Sequence, residues 1–158
     1  MRIYLASRFS RRDELREYAT RLDAAGHSIT SRWRYGPDKP YEQTSQIDAL
    51  AHALRDEEDI MRADCVISFT EPRNEGYSSG GRHVEFGIAR AAGKINILVG
   101  PDENVFHQLA HYTVDTFDEV LELFTAPDET SVRAVSSEKI TGYEDEATDE
   151  FGLLRHRN

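Results

Sequence analysis

Short apolar runs that alternate with stretches of helical periodicity constrain the fold of this chain more than any other feature. Ile3-Tyr4-Leu5-Ala6 stands almost at the first residue. Leu15, Tyr18, Ala19 and Leu22 then recur at the spacing of one helix face, and Gly26 is placed to stop that helix. His27 to Trp33 reads as a second strand. Residues 46 to 62 read as a helix with Ile47, Leu50, Leu54 and Ile60 among its apolar positions, and residues 64 to 69 as a third strand. A helix at 82 to 92 is capped by Gly93 and followed by a fourth strand, Ile95-Asn96-Ile97-Leu98-Val99. A short helix near 104 to 110, a weak strand near 112 to 114 and a closing helix from Phe117 to Phe124 complete the pattern. Strands alternating with helices need crossover connections, which pair the strands in parallel and cover both faces of the sheet. The expected fold is α/β, a Rossmann-like or flavodoxin-like three-layer sandwich with a mostly parallel sheet of about five strands.

The chain has 158 residues, enough for one domain with one real core. That domain is expected over residues 1 to 125. Residues 126 to 158 carry eight acids and few large apolar residues, so they read as an acidic tail, mobile or docking on a partner through Phe151-Gly152-Leu153-Leu154. The net charge of −10 argues against a nucleic-acid polymer as partner. A small anion is not excluded, because a few local donors can outweigh the global charge. The single cysteine, Cys65, lies inside an apolar run, which fits a reducing cytoplasm and no disulfide framework. No apolar run approaches the roughly 20 residues that span a bilayer, and the N-terminus opens directly on a strand pattern, so no signal peptide is expected. The six histidines are scattered without metal-ligand spacing, so neither a metal nor another cofactor is expected.

The chemistry centres on Glu85, in the run Gly80-Gly81-Arg82-His83-Val84-Glu85-Phe86-Gly87. This carboxylate stands where a glycine-rich loop turns into a helix, just downstream of the third strand. In an open parallel sheet such junctions bind ligands. A phosphate loop carries no acid there, because an acid repels the phosphate. A carboxylate at this place points instead to an electron-poor carbon, and the anomeric carbon of a sugar fits best.

Three features stand in order along the chain: the aromatic-bearing first strand Ile3-Tyr4-Leu5-Ala6-Ser7, Asp56 seven residues before the pair Ala63-Asp64, and Glu85-Phe86-Gly87 after a glycine-rich loop. Over roughly residues 2 to 110 this set resembles the nucleoside 2-deoxyribosyltransferase superfamily, which includes the 2'-deoxynucleoside 5'-monophosphate N-glycosidases. The resemblance implies that Glu85 attacks C1' of the sugar and forms a glycosyl ester. It implies that Asp56 handles protons at the departing base, with a pKa raised by burial or by Glu85. It implies that Tyr4 hydrogen-bonds Glu85 and fixes its rotamer. Glu85 as a helix-dipole partner, Asp56 as part of a solvated Asp56-Glu57-Glu58-Asp59 face and Tyr4 as a core aromatic are the plainer readings.

In the nucleoside transferases of this superfamily an aspartate commonly lies six residues before the nucleophile. Here that position is Ser79, as in the monophosphate N-glycosidases. Hydroxyl and backbone N–H donors at a helix start welcome a phosphate where an acid would repel it. Ser79, Gly80 and Gly81, with Ser7, Arg8 and Ser10 after the first strand, form the expected phosphate side, and Arg8 or Arg82 the compensating charge. Trp33 either walls the base pocket or packs in the core. The expected small-molecule partner is therefore a 2'-deoxyribonucleoside 5'-monophosphate. The alternatives are transfer on unphosphorylated deoxynucleosides, a larger ribonucleotide substrate, or a non-catalytic nucleotide sensor of similar fold. The resemblance also implies a homo-oligomer, with Asn104 reaching a neighbouring site.

Overall fold

The computed structural model describes residues 1–36, 44–71 and 80–125 and a two-residue strand at 133–134. Five parallel strands form the sheet: β1 (Arg2–Ala6), β2 (Ser28–Ile29), β3 (Cys65–Phe69), β4 (Ile95–Val99) and β5 (Tyr112–Val114). The order is β2-β1-β3-β4-β5, and β6 (Arg133–Ala134) adds antiparallel to β5. This is the flavodoxin-like order, with its switch point between β1 and β3. Two residues of the segment read as a tail thus join the sheet edge. Among the described residues no helix is long and apolar enough to cross a membrane.

Four helices cover the sheet: α1 (Arg12–Ala24), α2 (Gln46–Arg62), α3 (Gly81–Ala91) and α4 (Phe117–Thr125). Side chains alternate across a strand, and β1 shows the consequence. Ile3 and Leu5 pack with Leu15, Leu22, Phe117 and Val120 of α1 and α4. Tyr4 and Ala6 point the other way, packing with Ile60, Ala63 and Ala89 around α2 and α3. Cys65 is inert in this core, its thiol pushed up to about 12 by burial and then by Asp64. Asp64 accepts the backbone N–H of Arg2 at 2.8 Å and its guanidinium at 2.6 Å, pinning the start of β1 beside β3. At the far end of β4, Gly100 takes φ 105°, and a Cβ there would meet Thr70 Oγ1 at 2.8 Å. Only glycine suits both demands.

One expectation is corrected. The second strand is not His27 to Trp33 but two residues long, and Arg32–Tyr35 forms a 3-10 helix. Long-range bonds draw that segment out of the sheet: Trp33 Nε1 donates to Leu5 O at 2.8 Å, and Asp59 accepts the Arg32 backbone N–H at 2.9 Å. In α2 the apolar positions do not all face the core. Ile60 is fully buried, whereas Ile47, Leu50 and Leu54 are 81, 60 and 57% exposed.

Candidate active site

Tyr4 and Glu85 meet at the switch point. Tyr4 is fully buried, and its hydroxyl donates to Glu85 Oε1 at 2.6 Å, a length typical of a bond to an ionised acceptor. The fold sets both partners. The alternation of β1 aims Tyr4 at the α2/α3 layer. In α3 the buried residues Arg82, Phe86 and Ala89 recur at helical spacing, and Glu85 borders the same stripe. Gly80, at φ 79°, caps the helix in the left-handed region, and Gly81 begins it.

Glu85 is half-buried and its pKa is pushed up to about 7. Burial is the main cause. The Tyr4 hydrogen bond opposes it, Asp56 adds to it and Arg82 opposes it. Asp56 is also half-buried and raised to about 6, first by burial and then by Asp59, one turn further along α2. The expected second cause, Glu85, is replaced by Asp59. Asp56 in turn raises the pKa of Tyr4, after burial and Glu85. Asp56, Tyr4 and Glu85 thus lie within electrostatic reach of one another. Asp59 is 1% exposed and committed elsewhere, accepting Arg32 Nε at 2.7 Å as well as the backbone N–H.

The other expected residues distribute less evenly. Ser7 follows β1, and its buried Oγ has no hydrogen-bond partner among the described residues. Arg8 pairs with Glu71 at the end of β3. Ser10 is exposed in the 3-10 turn Phe9–Arg11. Trp33 packs against both core layers and lies 6.3 Å from the Phe9 ring, anchored through its indole N–H. Ser79 lies outside the described residues, as does Ser78. Asn104 caps the 3-10 helix Val105–Leu109 of its own chain, its Oδ1 accepting from Phe106 N at 2.9 Å. Arg82 is 5% exposed and bonds Glu103 through Nε at 2.9 Å and through Nη2. It is therefore already compensated where a counter-charge for phosphate was expected.

Sequence reasoning missed Glu71 and Glu103, which stand in loops, and His107, in the 3-10 helix Val105–Leu109; none of them carries a local pattern. His83, Glu103 and His107 offer ligand atoms within 4.8 Å of one another, the spacing of a metal site. Their hydrogen bonds oppose that use. The Glu103 N–H donates to His107 Nδ1 at 3.2 Å, so the proton of neutral His107 sits on Nε2, facing His83 Nδ1 at 3.2 Å. A metal-bound imidazole uses its other nitrogen as a donor, the reverse of this arrangement. Burial holds both histidines below the usual pKa, which keeps the pair neutral.

No family model matches the chain, and no curated protein matches it. Solved structures do. The fold is similar to a 2-deoxyribosyltransferase from Bacillus psychrosaccharolyticus, with TM-score 0.63, 22% identity, and coverage of 83% of this chain and 99% of that one. It is similar to the CMP N-glycosidase BcmB of Clostridium botulinum, with TM-score 0.53, 21% identity, and coverage of 79% and 98%. A conserved protein from Enterococcus faecalis V583 matches with TM-score 0.52, 15% identity, and coverage of 77% and 95%. At these identities the likeness establishes the shared α/β three-layer fold.

Proposed function

We propose that this protein belongs to the nucleoside 2-deoxyribosyltransferase superfamily and cleaves the N-glycosidic bond of a 2'-deoxyribonucleoside 5'-monophosphate. The observation that carries the reading is the Tyr4–Glu85 pair at 2.6 Å, at the switch point, with Asp56 in reach. A Glu85 oxygen forms a bond to C1' as the C1'–N bond breaks. The electron pair leaves with the base, whose nitrogen takes a proton from Asp56. Water then attacks C1', gives its proton to Asp56 and releases the ester as free sugar phosphate. A second base in place of water gives transfer instead. Tyr4 holds the carboxylate on its reacting axis.

Two features support the phosphate. The start of α3 presents backbone N–H groups behind the left-handed Gly80, and the buried Ser7 Oγ has donor capacity to spare. The fold is shared with one protein named for a deoxyribosyl reaction and one named for a nucleoside monophosphate. Release of free base from a panel of nucleosides and their monophosphates, ribo and deoxy, tests the reading. Glu85→Ala should abolish release while wild type forms a sugar adduct on Glu85 detectable by mass spectrometry. Full turnover by Glu85→Ala would refute the mechanism, and faster turnover of deoxynucleosides than of their monophosphates would refute the phosphate assignment.

A homo-oligomer belongs to the same reading. Ile47, Leu50 and Leu54 make an exposed apolar stripe on α2, the helix that carries Asp56. Light scattering after size exclusion should show an oligomer that Leu54→Lys dissociates. A monomeric wild type would refute it.

A further inference from the structure

We propose that Glu103 is a positioning residue for Glu85: it clamps the first turn of α3 to the ends of β3 and β4 and governs how much of the Arg82 charge reaches the Glu85 carboxylate. The role rests on reading Glu85 as the reacting group.

The geometry of Glu103 is that of a hub. Its carboxylate accepts Arg82 Nε at 2.9 Å, Arg82 Nη2, and the backbone N–H of Glu71 at 3.3 Å. His83 Nε2 faces it at 3.6 Å, and its own N–H donates to His107 Nδ1. One residue therefore ties two consecutive positions of α3 to the segments that follow β3 and β4.

Arg82 makes the clamp electrostatic as well as mechanical. It is buried, so little water screens its charge. Glu103 compensates it directly, and Glu71 lies 3.9 Å away, itself paired with Arg8 and 3.9 Å from Arg11. Arg82 precedes Glu85 by three residues, less than one helical turn. The charged and titratable groups facing Glu85 are Tyr4 of β1, Asp56 of α2 and Arg82 of α3. Those facing Glu103 are Arg82 and His83 of α3, Glu71 after β3, and His107 in the 3-10 helix Val105–Leu109. Neutralising Glu103 leaves Arg82 less compensated, which favours ionised Glu85. Neutralising Arg82 does the reverse. A residue that only held the fold together would not move Glu85 in opposite directions through these two changes.

The test is a carboxyl 13C NMR titration of glutamate-labelled protein, with the Glu85 signal assigned by its loss in Glu85→Gln. Arg82→Gln should lower the Glu85 acid dissociation constant about tenfold, and Glu103→Gln, acting through Arg82, should raise it by a smaller factor. The alkaline limb of kcat/KM, set by the higher Glu85 value, should follow each shift. Circular dichroism checks that both variants fold. An unchanged constant in folded Glu103→Gln, or movement in the same direction in both variants, overturns the proposal. If Glu103→Gln does not fold, Arg82→Gln decides alone, and an unchanged constant there overturns it. The titration needs no turnover, so an inactive wild type would sink the proposed reaction without touching this result.

Discussion

Replacing Glu85 by glutamine should stabilise the protein, and by an amount that depends on pH. Glutamine keeps the shape of the side chain and an oxygen for the Tyr4 hydroxyl, but carries no charge. The Glu85 carboxyl titrates at about 7 in the folded chain against 4.5 for an unperturbed glutamate. Its folded-state pKa is raised, so between these values the folded protein binds more protons than the unfolded chain. Wild-type stability is therefore lost as pH rises through this window. At about 1.36 kcal/mol per pH unit, the full difference corresponds to about 3 kcal/mol above pH 7 and to nothing below pH 4.5. For a chain of this size that is roughly 6–12 °C in Tm. Thermal and urea denaturation of wild type and Glu85→Gln at pH 4.5 and pH 8, at constant ionic strength, measure it. Equal stability of the two proteins at pH 8, or the same gain at both pH values, would refute the claim that a half-buried ionised carboxylate sits at this position.

Tyr4→Phe keeps the ring and removes one hydrogen bond to a charged acceptor, worth about 1.5–3 kcal/mol. The Glu85 pKa should rise by about 1–2 units and, being the higher of the two carboxyl values, carry the alkaline limb of kcat/KM with it; an unmoved limb would separate Tyr4 from the reaction. Asp59→Asn removes the like charge beside Asp56, the lower of the two carboxyl values, so the acid limb should move to lower pH, while the lost pairing with Arg32 costs roughly 1–2 kcal/mol in urea denaturation. Gly100→Ala should cost about 1–3 kcal/mol, because φ 105° and the nearby Thr70 hydroxyl both resist a Cβ, yet leave the pH profile where it is.

What the sequence made legible was local. Helical periodicity placed α2 at 46 to 62, matching Gln46–Arg62, and the glycine pair placed Glu85 in the first turns of α3. The Tyr4–Glu85 bond was expected from the family resemblance, and the alternation of β1 in the folded sheet is what delivers it. The misreadings arose where distant groups decide conformation. Residues 30 to 33 look like a strand from their own composition, but Asp59, 27 residues away, and the carbonyl of Leu5, 28 residues away, fold that stretch into a 3-10 turn. The periodicity of α2 showed an apolar face without showing that much of it lies at the surface. Glu71, Glu103 and His107 carry no pattern, and only the parallel arrangement of β3 and β4 brings them to the head of α3.

The order of the two carboxyl pKa values bears on how the proposed reaction would run. With Glu85 at about 7 and Asp56 at about 6, the free protein prefers its proton on Glu85, whereas attack needs Glu85 ionised and Asp56 protonated. Treated as independent sites at pH 6.5, roughly 24% of Glu85 is ionised and roughly 24% of Asp56 protonated, so roughly 6% of molecules carry the reactive arrangement. That population corresponds to about 1.7 kcal/mol, small against the 8 kcal/mol or more that even modest enzymes remove from a barrier. The same burial that raises Glu85 makes its anion a stronger partner for the positive charge developing at C1', because little water competes for it. An environment that penalises the resting carboxylate therefore returns that penalty in the transition state. The kcat/KM profile should accordingly be a narrow bell centred between the two values, and a broad plateau from pH 5 to 8 would mean that the two carboxyls do not share the proton in this way.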